Sequence, residues 1–135
     1  MCVLLDSNIW LAIVTCDGAS RALWRRLHDQ ATVIASEWVY DEVSAKLVGR
    51  FGFSPQHAVT MTRFVRRRTV SVGFPQLPRA VCRDPDDDNI LAAAVAGSCE
   101  FLITGDHDLL VLGEFDGVKI VQLRAFVDTL DASVR

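Results

Sequence analysis

Asp6 follows the apolar run Val3, Leu4, Leu5, and Asp106 follows Phe101, Leu102, Ile103, Thr104 and Gly105, so two distant strands each end in a bare carboxylate. In open parallel α/β sheets ligands bind outside the carboxyl ends of strands, where residues far apart in sequence converge. Helix phase adds two more acids. Glu42 lies four residues after Trp38 and one before Val43, on or beside the inward stripe of a helix whose apolar face is Trp38, Val39, Val43 and Leu47. Its structural alternative is an ion pair with a nearby arginine; Asp41 is the solvated acid of that segment. In the block from Arg83 to Asn89 a helix N-terminus welcomes acids for purely structural reasons. Asp84 before Pro85 is a good N-cap, Asp87 resembles its capping-box partner and Asp86 is a surface acid. Asp88 stands three residues before Leu91, four before Ala92 and seven before Val95, which selects it as the functional acid, with Asp84 the main competitor. Asp106 is the metal candidate of its segment, Asp108 a cap or an acid one step removed, and His107 is outnumbered by carboxylates. Asn8 offers a short amide to hold Asp6, whose structural alternative is capping the next helix.

Two like charges ~4 Å apart repel by ~1 kcal/mol in water and by ~4 kcal/mol at an effective dielectric of ~20. Four carboxylates brought together therefore call for a cation, and oxygen-only ligation selects Mg2+ or Mn2+ over zinc. A pair of such ions activates water and stabilises the leaving oxygen of a phosphodiester. Hydrolysis of a nucleic-acid backbone is the reaction this donor set fits best.

The elements that must position these acids alternate between short apolar runs and helical patterns, the mark of βα units around a parallel sheet. Strands are expected over 2–5, 32–35, 69–72, 100–104 and 118–122. Helices are expected over 8–14, 18–30, 37–49, from Pro55 to the arginine cluster, from Pro85 to Ala96, 107–112 and 123–130. Ser36 and Ser54 are the caps of the third and fourth helices, and 73–83 is a surface connection. At 135 residues, half of them apolar, the chain has the size of a single domain spanning 1–135. No apolar run is long enough to span a membrane, and no basic segment precedes the first one, so a cytoplasmic protein without a secretory signal is expected. Cys2, Cys16, Cys82 and Cys99 are widely spaced and read as reduced, mostly buried thiols. The net charge of −3 hides segregation: acids crowd 84–88, whereas Arg63, Arg66, Arg67 and Arg68, with Arg21, Arg25 and Arg26, form basic groups suited to phosphate or to a solvated helix face.

Taken in order, the runs Val3 to Asn8, Ser36 with Tyr40 to Val43, Cys82 to Ala94 and Leu102 to Leu110 resemble the PIN-domain nucleases, closest to the bacterial and archaeal branch akin to VapC toxins. The resemblance extends from Cys2 to about Phe126. It implies a PIN-like three-layer α/β/α sandwich with a central parallel sheet and an acidic site at Asp6, Glu42, Asp88 and Asp106, supported by Asn8, Ser36, Asp84 and Asp108. It further implies Mg2+ or Mn2+, cleavage of RNA to 5′-phosphate and 3′-hydroxyl products, silencing by a cognate antitoxin, and homodimers. Trp10, Leu11, Ile13 and Val14 are either dimer surface or core. Ser7 stands where the family commonly has threonine, and the crowding of acids from Asp84 to Asp88 leaves the third ligand open by one or more positions. Competing expectations are a DNA-directed or structure-specific nuclease of the same fold, and an inactive PIN module that binds RNA or a protein. A phosphoacceptor receiver domain is disfavoured, because Ser7 follows Asp6 where an acidic pair is needed and Lys119 sits inside the last strand.

Overall fold

The computed structural model describes residues 1–15, 18–73 and 75–134. In chain order the elements are β1 (Cys2–Leu5), α1 (Ser7–Val14), α2 (Gly18–Leu27), β2 (Thr32–Ala35), α3 (Glu37–Gly49), α4 (Pro55–Arg67) and β3 (Val70–Ser71). They continue with α5 (Pro85–Ala96), β4 (Phe101–Ile103), α6 (His107–Leu110), β5 (Glu114–Phe115), β6 (Val118–Val121) and α7 (Leu123–Val134). The strands form one sheet in the order β3-β2-β1-β4-β6-β5, parallel throughout except for β5 against β6.

Why this arrangement follows is visible in β1. Val3, Leu4 and Leu5 are all fully buried, so both faces of the strand are covered, as a central parallel strand requires. The chain builds outward from β1 to β2 and β3, with α1, α2, α3 and α4 packed on one another, then returns past β1 to β4. Right-handed crossing of that return places α5 on the opposite face, where it packs on β1 and β2. The strand order therefore reverses between β1 and β4, and the crevice at the carboxyl ends of those two strands is where such sheets bind ligands. Trp10, Leu11 and Ile13 belong to the core, with Val14 half-buried against it.

Caps set the helix starts as the sequence indicates. Ser36 accepts the amide of Val39 ahead of α3, and Ser54 accepts that of His57 ahead of α4, with Pro55 in the first turn. Helix α2 ends at Leu27 rather than residue 30, because the amides of Gln30 and Ala31 both turn back to the Leu27 carbonyl. Helix α6 is shorter than expected and α7 longer. Strand β5 was not expected: Asp116 (φ 47°) and Gly117 (φ 83°) make a two-residue turn that pairs Phe115 with Val118. Cys2, Cys82 and Cys99 are free thiols, while Cys16 lies outside the described residues. Among the described residues no helix is long and apolar enough to cross a membrane.

Candidate active site

The core of the site is the Thr104 hydroxyl, held between the Asp6 carboxylate and the main-chain amide of Asp106. The Asp6 amide donates to the Ile103 carbonyl (3.0 Å), prolonging the β1–β4 pairing by one residue and bringing the two strand ends together. Asp6 then caps α1, its Oδ1 accepting the Ser7 amide at 2.6 Å. Its Oδ2 accepts the Thr104 hydroxyl at 2.7 Å, and the same Thr104 oxygen accepts the Asp106 amide at 3.0 Å. Thr104 is fully buried and Asp6 is 6% exposed, so this relay is fixed within the core edge. Asp106 in turn caps α6, accepting the Asp108 amide at 2.9 Å.

Helix α5 supplies the next acid, and here the structure departs from the expected phase. Asp87, not Asp88, faces the strand-end acids: it is buried, and oxygens of Asp87, Asp106 and Asp108 lie within 4.8 Å of one another. Burial first, then a hydrogen bond shared with Asp106 and the charges of Asp106, Asp84 and Asp6, push the Asp87 carboxyl up to about 7. Asp88 is turned to the preceding connection, where its oxygens accept the amides of Val81 (3.2 Å) and Cys82 (2.8 Å). The physical reason is that Ile90 to Ala94 are buried without a break, so the alanine-rich helix has no clean stripe, and Asp87 with Ile90, Leu91 and Ala94 satisfies the same spacing as the pattern read for Asp88. Asp84 caps α5 as expected, but through the Asp86 amide (2.9 Å), which leaves Asp87 out of a capping box. Burial first, then the Asp88 carboxylate beside it, push the Cys82 thiol up to about 12, which disfavours its thiolate.

Glu42 stands on the flank of α3, half-buried, and its partner is Lys46 at 2.9 Å rather than an arginine. Lys46 Nζ also reaches Asn8 Oδ1 (3.3 Å) and Ser7 Oγ (3.4 Å), so one ammonium joins α3 to the start of α1 beside Asp6. Asn8 is thus directed at Lys46 and not at Asp6. Burial and the charges of Asp84 and Glu42 raise the Asp86 carboxyl, and Lys46 opposes that shift, which puts Asp86 on the same side of the site. Ser36 is a buried helix cap. Arg83 pairs with Asp108 at 2.7 Å on the rim, and His107 is exposed. Of the basic groups, Arg66 holds Glu37 through both oxygens and lies over Tyr40, and Arg68 lies over Phe64, so much of that cluster is used within its own helical layer.

Three functional candidates were not singled out in the sequence. Asp87 is hidden by the helix phase, Thr104 by being one polar residue in an apolar strand, and Lys46 is signalled only by its i,i+4 spacing from Glu42. The donor set fits a hard divalent cation: it is all oxygen, several carboxylates share a small space, and burial among those acids pushes the Asp87 carboxyl up. Asp87, Asp106 and Asp108 are the acids whose oxygens converge closely enough to share such an ion, while Asp6 is joined to the Asp106 main chain through Thr104 and acts on Asp87 by charge, and Glu42 is paired with Lys46. Helices α1, α5 and α6 are capped by Asp6, Asp84 and Asp106, so each helix begins at an acid of this region and its dipole favours that acid's ionised form.

The sequence profile described as PIN domain matches residues 2–108 of the chain, well over half of its length. No curated protein sequence matches significantly. Among solved structures, the chain is similar to one of VapBC2 from Rickettsia felis bound to a DNA fragment from their promoter, with a TM-score of 0.68 at 13% identity, covering 90% of this chain and 98% of that one. It is also similar to VapBC-1 from nontypeable Haemophilus influenzae, with a TM-score of 0.62 at 16% identity, covering 92% of this chain and 99% of that one. At these identities the likeness is one of fold, and it extends over almost the whole of each chain.

Proposed function

Because this chain belongs to the PIN domain family, we propose that it is a Mg2+- or Mn2+-dependent nuclease that hydrolyses RNA and serves as the toxin of a toxin-antitoxin pair. The observation that carries the proposal is the relay Asp6–Thr104–Asp106 with Asp87 buried against it, at the reversal point of the sheet. Asp6, Asp87 and Asp106 are the proposed ligands. Glu42 acts at the second position or through water, and Asn8, Ser36, Asp84 and Asp108 position the others. Asp88 takes a structural role in this scheme.

When bound, the divalent ion supplies Lewis acidity that lowers the pKa of water and offsets charge on the phosphate. The protein contributes orientation. Thr104 and the Ser7 amide hold the two Asp6 oxygens so that neither rotates, and the Asp106 amide locks that strand end to the same hydroxyl. Burial and the neighbouring acids raise the Asp87 carboxyl, and a bound cation would favour its ionised form, so Asp87 would act as a donor with its proton released. Arg83, exposed at the rim beside Asp108, is available to a phosphate of the incoming strand.

The partner expected for a toxin is supported by both similar structures, which are of VapBC assemblies. A groove of about 580 Å3, floored by Trp24, Met61 and Phe64 and rimmed by Arg21, Arg25 and Arg68, offers a seat of the kind an amphipathic helix fills. The deciding experiment is cleavage of mixed RNA and matched DNA pools by purified protein with Mn2+, with EDTA, and with Asp6→Asn in parallel. Mn2+-dependent cutting of RNA to 5′-phosphate ends, lost in the variant, is expected. Equal cutting by Asp6→Asn would sink the site assignment, and preference for DNA would replace the substrate.

A further inference from the structure

Among the described residues two cations reach the acids of this site, Arg83 at Asp108 on the rim and Lys46 at Glu42 on the flank beside Asp6. The Lys46 ammonium lies 2.9 Å from Glu42, 3.3 Å from Asn8 Oδ1 and 3.4 Å from Ser7 Oγ, and Ser7 Oγ is itself 3.4 Å from Asp6 Oδ1. The groups facing it come from α3 (Glu42), from α1 (Ser7 and Asn8) and, by charge, from α5 (Asp86). Glu42 stands N-terminal to Lys46 at i,i+4, the favourable order on a helix, and both side chains are mostly shielded at 22% and 30% exposure. The pair is therefore less screened than an ordinary surface pair.

We propose that Lys46 is a built-in counter-ion of the acid centre, a positioning residue that holds Glu42 away from the divalent cation and must be displaced when the ion enters. The inference rests on the metal-centred reading above and concerns the affinity of that centre. Two consequences share a sign. A divalent ion near Asp6 and Asp87 is repelled by the ammonium, and Glu42 becomes a ligand only by leaving it. Lys46 thus sets a threshold, keeping divalent affinity below what the acids alone would give. If Lys46 instead served to hold Glu42 in a ligating position, removing it would have the opposite effect.

The test is Mn2+ binding without RNA, followed by the loss of the free-ion electron paramagnetic resonance signal, for the full chain and its variants. Lys46→Met is expected to tighten Mn2+ binding about fivefold, the upper weight of a partly exposed pair. Lys46→Arg, which keeps the charge, should bind within about twofold of the wild type. In an Glu42→Gln background the effect of Lys46→Met should shrink, since the two residues act as one unit. Thermal melting in EDTA shows whether each variant is folded, and Lys46→Gln repeats the measurement with a polar side chain. Unchanged or weaker Mn2+ binding by folded Lys46→Met and Lys46→Gln overturns the inference while leaving the metal site standing. A wild-type chain that binds no Mn2+ overturns the metal-centred reading and this inference with it.

Discussion

At the scale of single residues, neighbouring aspartates on α5 have opposite duties. Asp88 stabilises the entry to the helix by accepting two main-chain amides, whereas Asp87 is a destabilising element in the absence of a cation, buried among acids. Asp88→Ala should therefore lower stability by about 1–2 kcal/mol, the weight of hydrogen bonds to a charged acceptor, and leave Mn2+ binding in place. Asp87→Asn should abolish that binding and leave the fold intact. Calorimetric titration and melting of both variants check the pair; loss of Mn2+ binding in Asp88→Ala alone would reverse the assignment. Titration offers a second check. The Asp87 carboxyl sits at about 7 when folded against an ordinary value of 3.8, so between those values the folded chain holds a proton that the unfolded chain has lost. Its contribution is fully present below the lower value and is lost as pH rises, so stability in EDTA should fall between about pH 4 and about pH 7. Urea midpoints of wild type and Asp87→Asn across that range test this, and parallel slopes would refute it. The placement of Asp6 and Asp106 at neighbouring strand ends was legible in the sequence because each follows an apolar run. Which of Asp87 and Asp88 turns toward them was not, since a helix with an unbroken buried run gives two adjacent aspartates equally good phases.

At the scale of elements, capping chemistry was the legible part. Ser36, Ser54 and Asp84 each accept an amide in the first turn of their helix, as their sequence positions suggest. The strand β5 was missed although Asp116-Gly117 carries the dipeptide that favours a tight hairpin, because two residues give too little alternation to register as a strand. Neither does sequence show how closely α5 is seated. A side-chain carbon placed on Gly97 would lie 2.9 Å from Cγ2 of Ile34, a β-branched residue that is 4% exposed and has nowhere to turn. Gly97→Ala should cost about 1–3 kcal/mol through overpacking, despite removing a glycine, and should loosen the helix that carries Asp87. Denaturant unfolding checks it; an unchanged or raised midpoint would mean that β2 and α5 yield more readily than their packing indicates.

At the scale of the whole molecule, strand order explains why acids from opposite ends of the sequence meet. The chain winds away from β1 on one side and resumes on the other, so Asp6 and Asp106 follow the two neighbouring strands between which the order reverses. That convergence was legible as a principle, whereas the strand order itself needed the structure. Charge is arranged on the same plan: Asp87, Asp106 and Asp108 gather at this crevice beside Asp6, whereas Arg66 and Arg68 are engaged by Glu37, Tyr40 and Phe64 in the helical layer. The ends of the sheet have a further effect. Its outermost strands, Val70–Ser71 and Glu114–Phe115, have only two residues each, and the second runs against its neighbour. Edges this short offer too few free amides and carbonyls to template another chain, which guards the buried parallel core against edge-to-edge aggregation. Two copies pressed side by side therefore have little free backbone through which their sheets could join into one.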